Sequence, residues 1–243
     1  MQLEQCRIVI TGGTSGIGYE LVKNLYQTNQ VIVIGRNEKK LQRLKQQFKN
    51  IACYQTDLSK RNEVETVANR IKQQFGVIDL LINNAAVQYT PTFMDNQFNC
   101  QSIYNEIEVN FTSVCVLTYL LLPTLLHERP AAIVNINSAL ALAPKTTSSI
   151  YCASKGALNI FSQSLRYQLE ATNITVLQAF LPLVDTPMTA GRGHQKMPVQ
   201  SAAKMILKGI EKGVLENDLD KVKWFRLLLR MSPTIARNIM KKY

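Results

Sequence analysis

The apolar positions of the chain follow two alternating rhythms. Short runs rich in β-branched residues, at 6–11, 30–35 (QVIVIG), 51–57 (IACYQTD), 77–85 (VIDLLINNA), 131–138 (AAIVNINS) and 174–180 (ITVLQAF), read as strands. Between them the apolar residues recur every three or four positions. Ile17, Leu21, Val22 and Leu25 share one face of a helix predicted at 17–28, and Leu41, Leu44 and Phe48 share a face of the next. Further helices are expected at 59–74, about 101–128, 149–171 and 198–213. The continuous apolar run at 77–85 suits a parallel strand covered on both sides. Strand–helix alternation with right-handed crossovers predicts an α/β fold, a doubly wound, mainly parallel sheet of six or seven strands flanked by helices. The seventh strand is the weak one, because in VLENDLDK only Val214 and Leu215 open with apolar side chains.

No Pro- or Ser-rich linker and no repeat divides the chain, so residues 1–213 read as one catalytic-size domain and 214–243 as a C-terminal extension. With 243 residues, 46% of them hydrophobic, the chain can bury a sizeable core, which excludes collagen-like and disordered classes. Five scattered cysteines form no CxxC pair and only two histidines are present, so neither a disulfide framework nor a metal site is expected. That cysteine usage fits a reducing, cytoplasmic setting. Met1 to Gln5 lacks the basic start of an export signal, and the apolar stretches VLTYLLLPTLL and FRLLLRM fall short of a membrane span. The net charge of +11 is concentrated at one end: after Asp220 come seven basic residues and no acidic one. The first 220 residues carry a surplus of only four, so nucleic acid is not an expected partner.

Candidate chemistry begins at TGGTSGIG, residues 11–18, which follows the first strand and opens the first helix. Small residues there let a backbone approach a pyrophosphate, and the helix N-terminus favours its charge. A glycine turn serving packing alone is the plainer alternative. Where an acidic residue would receive the ribose hydroxyls of NAD(H), about 20 residues on, Gly35 and Arg36 stand instead. The guanidinium suits a 2′-phosphate, which favours NADP(H), with NAD(H) as the second candidate. Asn37 caps the following helix or joins that contact, Lys39 and Lys40 add weaker attraction, and Asp57, with Leu58 beside it at the end of strand three, is a candidate acceptor for an adenine amino group.

In YCASK, Tyr151 and Lys155 lie four apart and project from one side of a helix. A phenol with a pKa near 10 carries protons at neutral pH only where a cation favours its ionised form, and Lys155 can supply that field. Tyr151 is then the general acid or base at a substrate oxygen. Ser138, ending strand five, can hold that oxygen, and Asn110 can anchor a water that relays protons to Lys155. Surface packing, ion pairing, capping and helix solvation are the ordinary alternatives for each residue taken alone.

Together TGGTSGIG, NNAA at 83–86, Asn110, Ser138 and YCASK resemble the short-chain dehydrogenase/reductase family over essentially residues 5–210. The resemblance implies a Rossmann-like fold and an NAD(P)-dependent oxidoreductase. It implies that Thr11, Gly12, Ser15, Gly16, Ile17 and Gly18 form the cofactor turn, that Asn83 braces the sheet, and that Asn84 and Ala85 border the cofactor. Asn110, Ser138, Tyr151 and Lys155 match the family's catalytic tetrad. Thr186, in VDTPM, matches the threonine that holds the carboxamide, with Pro182 just before it. Departures are Ala86 and Leu183 where the family has glycine, Ser15 where many NADP-preferring relatives are basic, and a missing DGG-like end.

The segments 87–98, 139–150 and 183–197 are expected to enclose the substrate, with Tyr89, Phe93, Leu140, Leu142 and Met188 giving a partly apolar cleft. Gln88 and His194 either hydrogen-bond the substrate or face water. The reading is an NADP(H)-dependent carbonyl/alcohol oxidoreductase, with a nucleotide-sensing scaffold as the alternative. The long helices resemble those that pair in family homodimers and homotetramers, where Leu117, Leu121, Leu165 and Leu169 offer apolar contact unless sheet packing uses them. The basic, apolar tail is expected to pack on the core or a subunit partner, with peripheral membrane contact as the alternative and Ser232 and Pro233 starting a new helix.

Overall fold

The computed structural model describes residues 1–242. Seven strands, β1 (Arg7–Thr11), β2 (Gln30–Gly35), β3 (Ala52–Gln55), β4 (Leu80–Asn83), β5 (Ala131–Ser138), β6 (Ile174–Leu181) and β7 (Glu216–Asp218), form one sheet in the order β3-β2-β1-β4-β5-β6-β7. Every pair is parallel. The order reverses between β1 and β4, the switch point at which open sheets of this kind leave a crevice beyond their strand ends. Helices α1 (Gly16–Leu25), α2 (Glu38–Gln47) and α3 (Arg61–Phe75) connect the first four strands. Then come α4 (Cys100–Ile107), α5 (Ser113–Leu125), α6 (Ser149–Gln168) and α7 (Val199–Glu211).

Period-two alternation divides the strand residues between two cores. Ile8, Ile10 and Val33 pack with Leu21, Val22 and Ile206 on one face, while Val9, Ile32 and Ile133 pack with Ile71, Leu117 and Leu121 on the other. Each such side chain, fully removed from water, contributes about 1.5–3 kcal/mol. Leu117, Leu121, Leu165 and Leu169 belong to the second core, so the sheet takes the residues that the sequence also offered to a subunit contact. The exposed apolar side chains on these helices are Tyr104, Tyr119, Ile160 and Tyr167.

Two sequence expectations change, and one left open is decided. The long helix at 101–128 is α4 and α5 joined by a π-helical turn, Glu108–Thr112, and ends at Leu125. Spanning 26 residues with mean hydropathy 1.4 in its most apolar part, Cys100–Leu125 is long and apolar enough to cross a membrane, contrary to the estimate from its apolar runs alone. Its Val114, Leu117, Leu121 and Leu125 are instead buried against the protein. The seventh strand does form. Its side chains are polar because they serve an edge: Asn217 donates to the Met205 carbonyl at 3.0 Å, and Glu216 and Asp218 bind Arg226.

Arg226 belongs to the C-terminal extension, which folds as two helices, α8 (Lys221–Met231) and α9 (Pro233–Lys241). Its guanidinium meets Asp218 at 2.7 Å and Glu216 at 2.9 Å and lies 4.5 Å over the Phe180 ring. Val222, Ala236 and Met240 are buried, and Thr146 donates to the Lys241 carbonyl at 2.7 Å. Pro233 occupies the first turn of α9 as expected, but Ser232 makes no side-chain cap bond. Trp224, Leu227 and Met231 remain exposed at helical spacing along α8.

Candidate active site

At the end of β1 the chain turns through Gly12, whose φ of +70° is a left-handed conformation that favours glycine. A Cβ on Gly12 would come within 2.9 Å of the Ala85 backbone, and one on Gly18 would overlap the Gly12 carbonyl. Thr11 locks the two strand ends together: its hydroxyl accepts the amides of Asn84 at 2.9 Å and Ala85 at 3.0 Å. Asn84 returns a bond to the Thr11 carbonyl at 3.0 Å. Ser15 precedes α1 in an extended conformation without a side-chain cap bond, and the first turn holds no acidic residue, so its free amides are open to an anion.

Gly12, Ser15, Gly16 and Ile17, after β1, line the β1–β3 side of a cavity of about 520 Å³, and Arg36, Asp57, Leu58, Asn84 and Ala85 line it with them. Pro182, Thr186, Ser138, Tyr151 and Lys155 line the same cavity. Thr11, Gly18 and Asn37 do not. The first two hold the frame, because the turn packs so closely that its hydroxyl and its last glycine face the protein. Asn37 is committed to α2, where its side chain accepts the Lys40 amide at 2.9 Å. Asp57 uses one carboxylate oxygen for the Ser59 amide at 3.0 Å and hydroxyl at 2.8 Å. Burial raises this carboxyl, but the two Ser59 bonds, with Arg36 and Lys60 nearby, hold it below its ordinary range.

The candidate reacting residues start α6. Ser148 precedes the helix with a left-handed φ of 59°, a conformation that costs a non-glycine residue about 1–2 kcal/mol. Tyr151 and Lys155 follow, both buried. Lys155 Nζ donates to the Ile136 carbonyl of β5 at 2.8 Å and lies 5.8 Å from the Tyr151 ring centre. Desolvation pulls the Lys155 ammonium down to about 8. Burial pushes the Tyr151 phenol up to about 12, against the pull of a hydrogen bond with Ser138. Burial is thus the largest influence on Tyr151, and the phenol keeps its proton throughout the neutral range. Ser138 ends β5 and its hydroxyl accepts the Leu140 amide at 3.2 Å.

Asn110 lies in the π-helical turn, fully buried and outside the cavity wall. Its side chain accepts the Val87 amide at 2.8 Å and donates to the Val87 carbonyl at 2.9 Å and to Ser154 Oγ at 3.2 Å. It therefore fixes the strand end after β4 to the helix bearing Tyr151, and its amide is spent on that task. Asn83 joins the sheet centre, donating to Asn135 at 2.9 Å, and Asn135 passes on a bond of 2.8 Å to Ser162 of α6.

At the far end the structure departs from the sequence reading. Leu140 and Met188 line the cavity as expected, whereas Tyr89 and Phe93 are exposed away from it and His194 faces solvent. Gln88 does line it, holding Arg192 at 2.7 Å. Lys145 and Arg192 were missed, and so were Val222, Phe225, Ile239 and Met240 of the extension, which close the wall. The signal for three of the last four was helical spacing: Val222 with Phe225, and Met240 with Ala236, each mark the inward face of a helix, whereas Ile239 is half exposed.

The family model for short chain dehydrogenase matches residues 7–197, most of the chain and all of the site up to α7. The chain belongs to the short-chain dehydrogenase family. The oxidoreductase DltE of Bacillus subtilis is 33% identical over 233 residues, covering 93% of this chain and 92% of that protein. A short chain dehydrogenase from Burkholderia cenocepacia, solved with NADP, superposes with a TM-score of 0.85 at 22% identity over 99% of both chains. One from Burkholderia phymatum, solved with NAD, gives 0.83 at 18% identity, covering 95% of this chain and 96% of that one. Both share the fold. This short-chain dehydrogenase is thus an oxidoreductase-family protein whose glycine turn, Ser138, Tyr151 and Lys155 meet in one cleft.

Proposed function

We propose that the protein is an NADP(H)-dependent carbonyl/alcohol oxidoreductase with Tyr151 as its general acid and base. The observation that carries this reading is the burial of Tyr151 and Lys155, beside Ser138, in the wall of a cavity whose other end is the glycine turn. The cradle fits a dinucleotide: Gly12 and Gly16 leave space that a Cβ would fill against Ala85 and Thr186, and uncapped amides open α1. Structures of the fold solved with NADP and with NAD support a nicotinamide cofactor. Arg36, exposed after β2 with no carboxylate in place of Gly35, favours the 2′-phosphate of NADP(H), with NAD(H) as the second candidate.

When bound, the nicotinamide supplies or accepts the hydride at the substrate's carbonyl carbon. In reduction Tyr151 gives its phenolic proton to the oxygen, which Ser138 Oγ aligns, and Lys155 stabilises the phenolate left behind. In oxidation the same phenolate removes the alcohol proton. Asn110 is a positioning residue, acting through Val87 and Ser154. Thr186 and Pro182 hold the nicotinamide end, and Asp57 and Leu58 the adenine end.

The test is substrate-dependent oxidation of NADPH over a panel of carbonyl compounds, with cofactor binding measured alongside. Turnover lost in Tyr151→Phe with NADPH binding retained supports the enzyme; NADPH binding without turnover on the whole panel supports the nucleotide-sensing scaffold. The exposed Tyr119, Ile160 and Tyr167 support a homodimer or homotetramer, checked by light scattering. Trp224, Leu227 and Met231, flanked by Lys223 and Arg230, support peripheral contact of a cytoplasmic enzyme with an anionic membrane, and vesicle co-sedimentation of Trp224→Ser checks it.

A further inference from the structure

Two loops that are far apart in sequence bring two cations to the substrate end of the cleft. Lys145 comes from the segment between β5 and α6, Arg192 from the segment after β6, and both line the cavity together with Tyr151. Neither forms an ion pair with a carboxylate among the described residues. The acid whose charge reaches Arg192, Glu106, is buried and turned to the Tyr89 amide at 2.8 Å. Burial and the charge of Arg192 together hold the Lys145 ammonium below its ordinary range. Two like charges facing one partly desolvated space repel until an anion lies between them.

Arg192 is held in place rather than loose. One of its guanidinium nitrogens donates to Gln88 Oε1 at 2.7 Å, and Gln88 in turn donates to Ser148 Oγ at 3.2 Å. Ser148 opens the helix that carries Tyr151, so the guanidinium is registered to the reacting phenol through three side chains. Its remaining N–H groups suit the planar, forked acceptance of a carboxylate or phosphate. The cofactor's own anions do not call for this pair, since the pyrophosphate belongs to the N-terminus of α1 and a 2′-phosphate to Arg36, at the other end of the cleft. The walls between are apolar: Leu140, Leu183 and Met188 from the loops, Phe225, Ile239 and Met240 from α8 and α9.

We infer that the substrate is an anionic carbonyl compound, its carboxylate or phosphate bound by Lys145 and Arg192 and its apolar body covered by the C-terminal helices. This rests on the oxidoreductase reading above and narrows it to a substrate class. The experiment compares an aryl-substituted keto acid, its methyl ester and a ketone phosphate monoester of similar size, so that the reacting carbonyl stays constant while the charge changes. Each is assayed for kcat/KM with NADPH, and each is also titrated calorimetrically into the NADPH-loaded protein. One or both anions should exceed the ester by roughly tenfold or more, the scale of a charge-assisted hydrogen bond, and whichever anion does so names the group. In Arg192→Gln and Lys145→Gln that ratio should collapse through KM, and Arg192→Lys should restore part of it. An ester equal to both anions, or variants that lower acid and ester alike, overturns the inference while leaving the oxidoreductase intact. Absence of turnover on all three counts against the oxidoreductase reading, and the calorimetric ratio of anion to ester then decides the charge question by itself.

Discussion

The two ends of the cleft are built by opposite means. The dinucleotide end is made of backbone: Gly12 with φ +70°, the Thr11 hydroxyl tying β1 to β4, and the bare amides opening α1 all lie within two strand ends that pair in the sheet. The proposed substrate end is made of side chains from four separate stretches, Gln88, Lys145, Arg192 and the α8–α9 pair, which meet only in the folded chain. A backbone device tolerates almost no change of residue type. A side-chain device can change its specificity while the sheet below is untouched. Tyr151 and Lys155 lie where the two meet, and substitutions there should have the largest effect.

Tyr151→Phe keeps the ring and removes the acid. We expect kcat to fall by about 10²–10⁴ with the NADPH affinity little changed. Stopped-flow absorbance and a fluorescence titration measure the two quantities, and a wild-type kcat would assign the proton to another group.

Much of the dinucleotide end was legible because its constraints act on neighbouring residues: strand, glycine turn and helix are consecutive, and YCASK carries its own four-residue geometry. What misled there was direction. Thr11, Gly18 and Asn37 stand in the right stretch but turn inward or toward α2, and one-dimensional spacing does not say which atoms a close-packed turn leaves outside. Asn110 was legible as a residue but not as a strut to Val87. The substrate end was hardly legible. Lys145 and Arg192 are 47 positions apart, and nothing local distinguishes them from solvated loop cations. β7 was obscure because Glu216 and Asp218 are chosen for Arg226 rather than for a core.

Lys155 separates function from stability. Its ordinary pKa of 10.5 falls to about 8 in the fold, so below pH 8 the buried ammonium costs the folded state the full difference, about 3 kcal/mol at most. Between pH 8 and 10 the unfolded chain binds more protons than the folded one, and stability of the cofactor-free protein should rise with pH across that window. Tyr151, raised in the fold, reverses the trend only above its ordinary value of 10. Lys155→Met should therefore raise the unfolding free energy at pH 7, flatten this rise and abolish turnover. Denaturant melts at pH 7 and 9.5 check it, and a variant less stable at both values would mean that the bond to Ile136 outweighs desolvation.

Gly12→Ala tests the backbone side of the contrast. A methyl group must accept a left-handed φ and push against Ala85, which together cost about 2–3 kcal/mol. NADPH binding should weaken at least as much as stability, since the same turn faces the cofactor, and no conservative replacement at this position should rescue it. A stable Gly12→Ala protein with unchanged NADPH affinity would show that the turn serves packing alone.

Arg36→Ala is expected to have the smallest effect and is the most selective test. Arg36 is the side chain on which the proposed NADP(H) preference chiefly rests, and it is exposed, so its charge is screened by solvent and salt. Its loss should raise the KM for NADPH roughly tenfold, leave that for NADH nearly unchanged, and leave stability unaltered. Gly35 is packed against the Thr14 and Leu41 side chains, at 3.2 and 3.3 Å from where a Cβ would stand, so a larger residue at the neighbouring position would have to displace them by a few tenths of an ångström. If NADPH and NADH weaken together, the guanidinium is shaping the loop rather than reading the phosphate, and the dinucleotide end would then discriminate its ligand by backbone alone.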